Sequence, residues 1–168
     1  SVFCALTFSA IASNFNYASG VAAVNEMSSK ALINAMERVD DRIYAVGEHG
    51  IIIYSDDLGD NWTQSESVPF TNTLTDIDCI SREVCWATGH DATILHSYDA
   101  GKTWQIQYQD AEFDAPFLSI HMYDDYEGVA IGAFALSLRT ANGGISWDYL
   151  FIDDDEFQPH LNYTYGDN

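Results

Sequence analysis

Three short segments carry side chains whose type and spacing are suited to chemistry. They are Ser55-x-Asp57-x-Gly59-x-x-Trp62, Ser97-x-Asp99-x-Gly101-x-x-Trp104 and Thr140-x-Asn142-x-Gly144-x-x-Trp147. A hydroxyl, then a carboxylate or amide, then glycine suits either a small cation site or a tight turn. Ser and Asp side chains bond backbone N–H groups one or two residues on, and Gly supplies a positive φ. Asn142 keeps an oxygen acceptor but carries no charge. The shared demand is therefore hydrogen bonding rather than ion binding, and all twelve positions are expected to be structural. No metal site is expected elsewhere: three cysteines without a CxxC pair give no zinc framework.

The elements that hold these turns repeat. The tryptophans fall at 62, 104 and 147, and Gly47, Gly89 and Gly132, each closing an apolar run (IYAVG, CWATG, VAIG), keep the same steps of about 42 residues. Between landmarks the chain has short strands. Leu74 to Ile80 (LTDIDCI) alternates as a half-buried strand does, followed by Val84 to Thr88, Thr93 to His96 and Trp104 to Tyr108. Four strands in such a period is the length of a propeller blade. The predicted fold is all-β, with about three four-stranded antiparallel blades over residues 32–168. His160-Leu161-Asn162-Tyr163 is read as the first strand of a fourth.

Composition narrows the function. The chain has 168 residues, 26 Asp and Glu against 6 Lys and Arg, and a formal charge of −20. Such a chain cannot neutralise phosphates, so nucleic acid is excluded, and an anionic membrane surface repels it. The apolar content of 47% argues against disorder. Residues 1–25 read as a signal segment, with an apolar run Val2 to Ala12 and a small-x-small site at Ala10-Ile11-Ala12. Ser1 in place of Met is read as a lost start, making the chain a piece of a longer one. Cys4 lies inside the apolar run and has no assigned role. Export places Cys79 and Cys85 in an oxidising compartment. They flank a polar turn, Ile80 to Val84, where a hairpin brings them opposite each other, either bridged or as two small half-buried residues.

The three turns resemble Asp-boxes, or BNR repeats, which occur at the rims of sialidase-type propellers. The longer text is more specific. AVGEHGIIIYSDDLGDNW, ATGHDATILHSYDAGKTWQIQYQD and APFLSIHMYDDYEGVAIGAFALSLRTANGGISW resemble the photosystem II stability/assembly-factor-like propeller family over roughly Leu32 to Trp147. That resemblance implies a closed ring of seven blades in members about twice this length. It also implies a non-enzymatic exported role, in the periplasm or, in photosynthetic organisms, the thylakoid lumen. Photosynthetic members use a basic patch, which Arg38, Arg42, Arg82, Arg139 and two lysines are too few to build. What transfers is a scaffold that binds or steadies a membrane-associated protein complex, with no cofactor.

The alternative is a sialidase-like glycoside hydrolase. It needs an arginine cluster, whereas Arg82 lies in a hairpin turn, Arg139 enters an Asp-box, and the Arg-Ile-Pro signature is missing. A two-carboxylate glycosidase remains open on composition. For the scaffold, the candidate binding face is the end opposite the Asp-boxes. There the loops present Glu48, His49, His90, Asp91 and Phe134, with Pro69-Phe70 and residues 110–114 beside them. The bland alternative is that these loops are tight turns whose polar side chains cap their own backbone. His49 and His90 occupy equivalent loops, which makes them a repeat rather than a pair of metal ligands.

Overall fold

The computed structural model describes Ala22, residues 31–113 and residues 115–150. The signal segment apart from Ala22, Asp114 and the fourth-blade strand lie outside the described residues. Twelve strands form three four-stranded antiparallel sheets. Blade 1 is β1 (Ile33–Val39), β2 (Arg42–Gly47), β3 (Ile52–Ser55) and β4 (Thr63–Gln64). Blade 2 is β5 (Leu74–Cys79), β6 (Cys85–Gly89), β7 (Thr93–Ser97) and β8 (Gln105–Tyr108). Blade 3 is β9 (Phe117–Met122), β10 (Gly128–Gly132), β11 (Ser137–Thr140) and β12 (Asp148–Tyr149). Each sheet pairs its strands in chain order. Every blade is thus an up-and-down meander, the local pairing that short connections favour.

The first strands lie side by side: β1 contacts β5, and β5 contacts β9. Alternation along the strands sorts side chains between two faces. Tyr44, Val46, Ile52 and Tyr54 of blade 1 meet Leu74, Ala87, Leu95 and Trp104 of blade 2 in one core. Trp86 and Ile94 of blade 2 meet Phe117, Ala130, Leu138 and Trp147 of blade 3 in the next. Ala45, Ile51 and Ile53, with Trp62 against them, form the corresponding cluster on the rear of blade 1. Trp104 and Trp147 therefore pack backwards, towards the preceding blade, and Trp62 lies on the equivalent face of blade 1. Each repeated glycine has a matching reason. A Cβ on Gly47, Gly89 or Gly132 would collide with the carbonyl of Leu32, Thr73 or Pro116, where the incoming chain crosses the end of the second strand.

The inner strands are also stitched by polar side chains. Asn34 donates to the Leu74 carbonyl at 2.7 Å, and Thr75 to that of Phe117 at 2.7 Å. Asp76 accepts the Ile120 amide at 3.0 Å and Asp78 that of Met122 at 2.6 Å. Cys79 and Cys85 face each other in the β5–β6 register and are joined by a disulfide.

Candidate functional site

The up-and-down meander divides the loops between two rims. One rim carries the turns between first and second strands and the Asp-box turns. The other carries the loops between second and third strands and the blade connectors.

At the first rim the three Asp-boxes repeat one hydrogen-bond pattern. The Ser55 hydroxyl donates to Asp57 at 2.7 Å and accepts the Gly59 amide at 2.8 Å. Asp57 in turn accepts the Asn61 amide and side chain at 2.8 and 2.6 Å. Ser97, Asp99, Gly101 and Thr103 do the same in blade 2. In blade 3, Asn142 accepts from Thr140 and from the Ser146 amide, and its own amide donates to the Ser146 hydroxyl at 2.9 Å. Hydrogen bonds from Asn61 and Ser55 hold the Asp57 carboxyl below its usual range. Burial opposes ionisation of Asp99, and the bonds from Thr103 and Ser97 outweigh it, so its pKa is also lowered. The carboxylates are occupied by backbone and hydroxyl donors, as a turn requires. Among the described residues no three His, Cys, Asp or Glu side chains gather to hold a metal.

Arginines meet at one of these turns. Arg42 donates to both oxygens of Asp56, at 2.7 and 2.6 Å, and Arg82 donates to Asp56 Oδ1 at 2.6 Å. The Arg42 guanidinium also lies 4.2 Å from the centroid of the Tyr54 ring and donates to the Ala100 carbonyl at 2.6 Å. The bond from Arg42 keeps the Asp56 pKa low. This cluster joins blades 1 and 2, with one carboxylate shared between two guanidiniums. Arg139 stands apart on β11. Sequence spacing gave no sign of the cluster, because Asp56 is the variable residue of its Asp-box and its partners lie 14 and 26 positions away.

A polar network replaces it between blades 2 and 3. Gln107 accepts from Trp86 Nε1 at 2.9 Å and donates to the Gly143 carbonyl at 3.0 Å, with its nitrogen 3.1 Å from His96 Nδ1. With the Gln107 oxygen occupied by an N–H, its amide nitrogen is the donor and His96 Nδ1 the acceptor. His96 then carries its proton on Nε2, which is buried without a hydrogen-bond partner. Burial lowers its pKa to about 4.

On the opposite rim the structure places Glu48, His49, His90, Asp91 and Phe134 in equivalent loops of three successive blades. Gly47, Gly89 and Gly132 precede these loops. Several polar groups are engaged locally. Glu48 accepts the Leu32 amide at 3.1 Å, and Asp91 accepts from Asn72 at 3.3 Å, while the Asn72 carbonyl accepts the Gly50 amide. His90 is exposed, and Phe134 is 82% exposed in a left-handed backbone conformation. Phe70 departs from expectation: it is buried between blades 1 and 2, because alternation in the connector turns it inward with Val68.

Carboxylates also collect along the inner strands. Burial, then the charges of Asp78 and Asp76, raises the Glu37 pKa. A raised carboxyl beside ionised ones is a feature of hydrolases. Here Asp76 and Asp78 hold β9 amides, and Asp78 also pairs with His121 at 3.4 Å. These bonds give the two aspartates a structural task.

The geometry agrees with known proteins. The profile of the family described as photosynthesis system II assembly factor YCF48 matches residues 64–156. The photosystem II assembly protein Ycf48 of Thermosynechococcus vestitus is 29% identical over 118 residues, covering 68% of this chain and 34% of that protein. The solved structure of YCF48 bound to D1 peptide superposes with a TM-score of 0.62 at 20% identity, covering 71% of this chain and 40% of that one. YCF48 from Cyanidioschyzon merolae gives 0.60 at 19%, covering 71% and 37%. The GH74 enzyme of Niastella koreensis gives 0.56 at 14%, covering 72% and 23%, a likeness of fold. The chain spans about a third of the length of its curated relative.

Proposed function

Because the chain belongs to the photosynthesis system II assembly factor YCF48 family, we propose that it acts as a non-enzymatic propeller scaffold that binds a protein partner in a membrane-associated complex. The observation that carries this reading is the superposition of 71% of this three-bladed chain on a relative solved with a peptide bound. The Cys79–Cys85 disulfide supports action in an oxidising compartment, a periplasm or a thylakoid lumen. On the rim opposite the Asp-boxes, Phe134 and His90 are the exposed contact points we assign from the candidate face.

The hydrolase alternative draws on the GH74 likeness and the raised Glu37 carboxyl. One paired assay separates the two. The protein is used to capture partners from detergent-solubilised membranes, and in parallel is offered a panel of glycosidase substrates. The expected outcome is a specific membrane protein retained and no turnover. Turnover that disappears in Glu37→Gln would sink the scaffold reading.

A further inference from the structure

Exposed large apolar side chains are unevenly shared between the two rims. Among the described residues, the loops opposite the Asp-boxes show Phe134 on blade 3 and Leu32 on blade 1, with Leu118 and Ile131 on the adjoining ends of β9 and β10. The Asp-box rim shows Leu58, Tyr98, Tyr123, Tyr126 and Ile145, with Tyr126 65% and Ile145 85% exposed. Isolated exposed apolar residues need no explanation, but a cluster on one rim does.

The repeat brings most of them together on blades 2 and 3. Asp56 and Arg82 meet across the first junction at 2.6 Å. Tyr98 and Asp125 occupy the equivalent positions at the second, a ring and a carboxylate in place of the ion pair. The Gly143 amide donates to the Tyr126 carbonyl at 2.9 Å, which joins the 123–127 turn to the Asp-box turn that carries Ile145. Exposed Asp125 and Glu127 flank the rings.

The surface is held in shape before any partner arrives. Asp124 accepts the amides of Tyr126 and Glu127, both at 2.7 Å. Tyr98 sits edge-on to His96 at 3.6 Å, and Tyr123 edge-on to His121 at 5.1 Å. Fixed rings lose little freedom on binding, and tyrosines are enriched at the anchoring points of interfaces. On this rim Arg82 meets Asp56, and the exposed cations Lys102 and Arg139 are outnumbered by the exposed carboxylates Asp99, Asp124, Asp125 and Glu127. With the chain at −20, charge complementarity selects a cationic occupant.

We propose that the tyrosine-and-carboxylate rim of blades 2 and 3 binds a lysine- or arginine-rich segment of a protein partner whose aliphatic or aromatic residues pack on Tyr98, Tyr126 and Ile145. This rests on the protein-binding reading above and adds to Phe134 and His90 a second contact surface, on the opposite rim, with the chemistry of the segment it takes. It differs from a purely ionic contact in needing the rings as well as the carboxylates.

The test uses a labelled synthetic peptide alternating Lys with Leu and Phe, and a matched peptide with Glu in place of Lys. Anisotropy titration is expected to show binding of the first and none of the second. Tyr98→Ser with Tyr126→Ser leaves the charge unchanged and is expected to weaken binding about tenfold. Asp125→Asn with Glu127→Gln is expected to weaken it and flatten its salt dependence. Asp41→Asn with Glu66→Gln removes two exposed charges from blade 1 and is expected to do far less. An unchanged affinity in the tyrosine pair, or equal losses in the two carboxylate pairs, would overturn the proposal, since binding would then be diffuse attraction. Circular dichroism of each variant checks that the blades remain folded. Membrane capture separates the two readings. A partner retained equally by wild type and the tyrosine pair leaves the scaffold standing and this surface wrong. Peptide binding without any captured partner leaves the surface standing and the membrane-complex role wrong.

Discussion

At the residue scale, the two junctions solve one problem with different side chains. The Asp-box turn of the following blade presents a main-chain carbonyl, from Ala100 or Gly143, towards the preceding blade. Arg42 donates to the first at 2.6 Å and Gln107 to the second at 3.0 Å. The second solution draws a buried histidine into the network, and that histidine makes the junction sensitive to acid. His96 is 1% exposed and its pKa is lowered to about 4 from an ordinary 6.5. Between those values the unfolded chain binds a proton that the folded chain refuses. Stability from His96 is therefore full above about pH 6.5 and is lost as pH falls towards 4, by about 3 kcal/mol in all. NMR titration of the His96 ring is expected to show no protonation down to about pH 5. A midpoint near the ordinary value would show that the ring is solvated and the network open. His96 could be placed on a strand from sequence alone. Its burial and partners could not, because Trp86, Gln107 and Gly143 meet it only through the packing of two blades.

At the element scale, the Asp-box is a turn whose side chains replace a strand ladder for a few residues. Asn142 shows that an amide fills the acidic position, donating to Ser146 where Asp99 accepts from Thr103. Asp99→Asn is therefore expected to change stability little. Asp99→Ala removes acceptors for the Thr103 amide and hydroxyl and for Ser97, and is expected to cost about 1–3 kcal/mol. Urea melts of the two variants decide it, and equal losses would point to a need for charge. The β5–β6 disulfide is a second element-scale device. It closes a short loop of sequence separation 6 and is expected to contribute about 2 kcal/mol by restricting the unfolded chain. Reduction should lower the melting temperature by several degrees, and Cys79→Ser with Cys85→Ser should abolish that response. These elements were legible because their signals are local: a hydroxyl, an acid or amide, a glycine and a tryptophan within eight residues, repeated three times. The glycines closing the second strands were legible as landmarks. Their reason, a carbonyl of the incoming chain lying over Cα, appears only once the connectors are in place. The exposed tyrosine rim was missed because alternation and turn chemistry say which residues leave a sheet, and not which of them gather.

At the scale of the whole molecule, the blades have a direction. Rear faces are alike, with Ala45, Ala87 and Ala130 at one position and Trp62, Trp104 and Trp147 at another. Forward faces differ: Tyr44 and Tyr54 in blade 1, Trp86 and His96 in blade 2, Val129 and Arg139 in blade 3. The first two sets are buried by the next blade, whereas blade 3 leaves Ile131 and Leu118 half-exposed or more. Exposed apolar side chains on a sheet face attract another surface, and for a 168-residue chain at −20 charge repulsion opposes that association at low salt. The chain of 168 residues is therefore expected to associate with itself more strongly as salt is raised. Ile131→Lys with Leu118→Lys should reduce that association without lowering the melting temperature, because neither side chain is buried in the described core. Sedimentation velocity at low and high salt measures it. If the unaltered chain stays monomeric at high salt, or if the double variant associates as strongly, the forward face of blade 3 is not the adhesive surface. The Asp-box rim, with its exposed tyrosines, is then the next surface to alter.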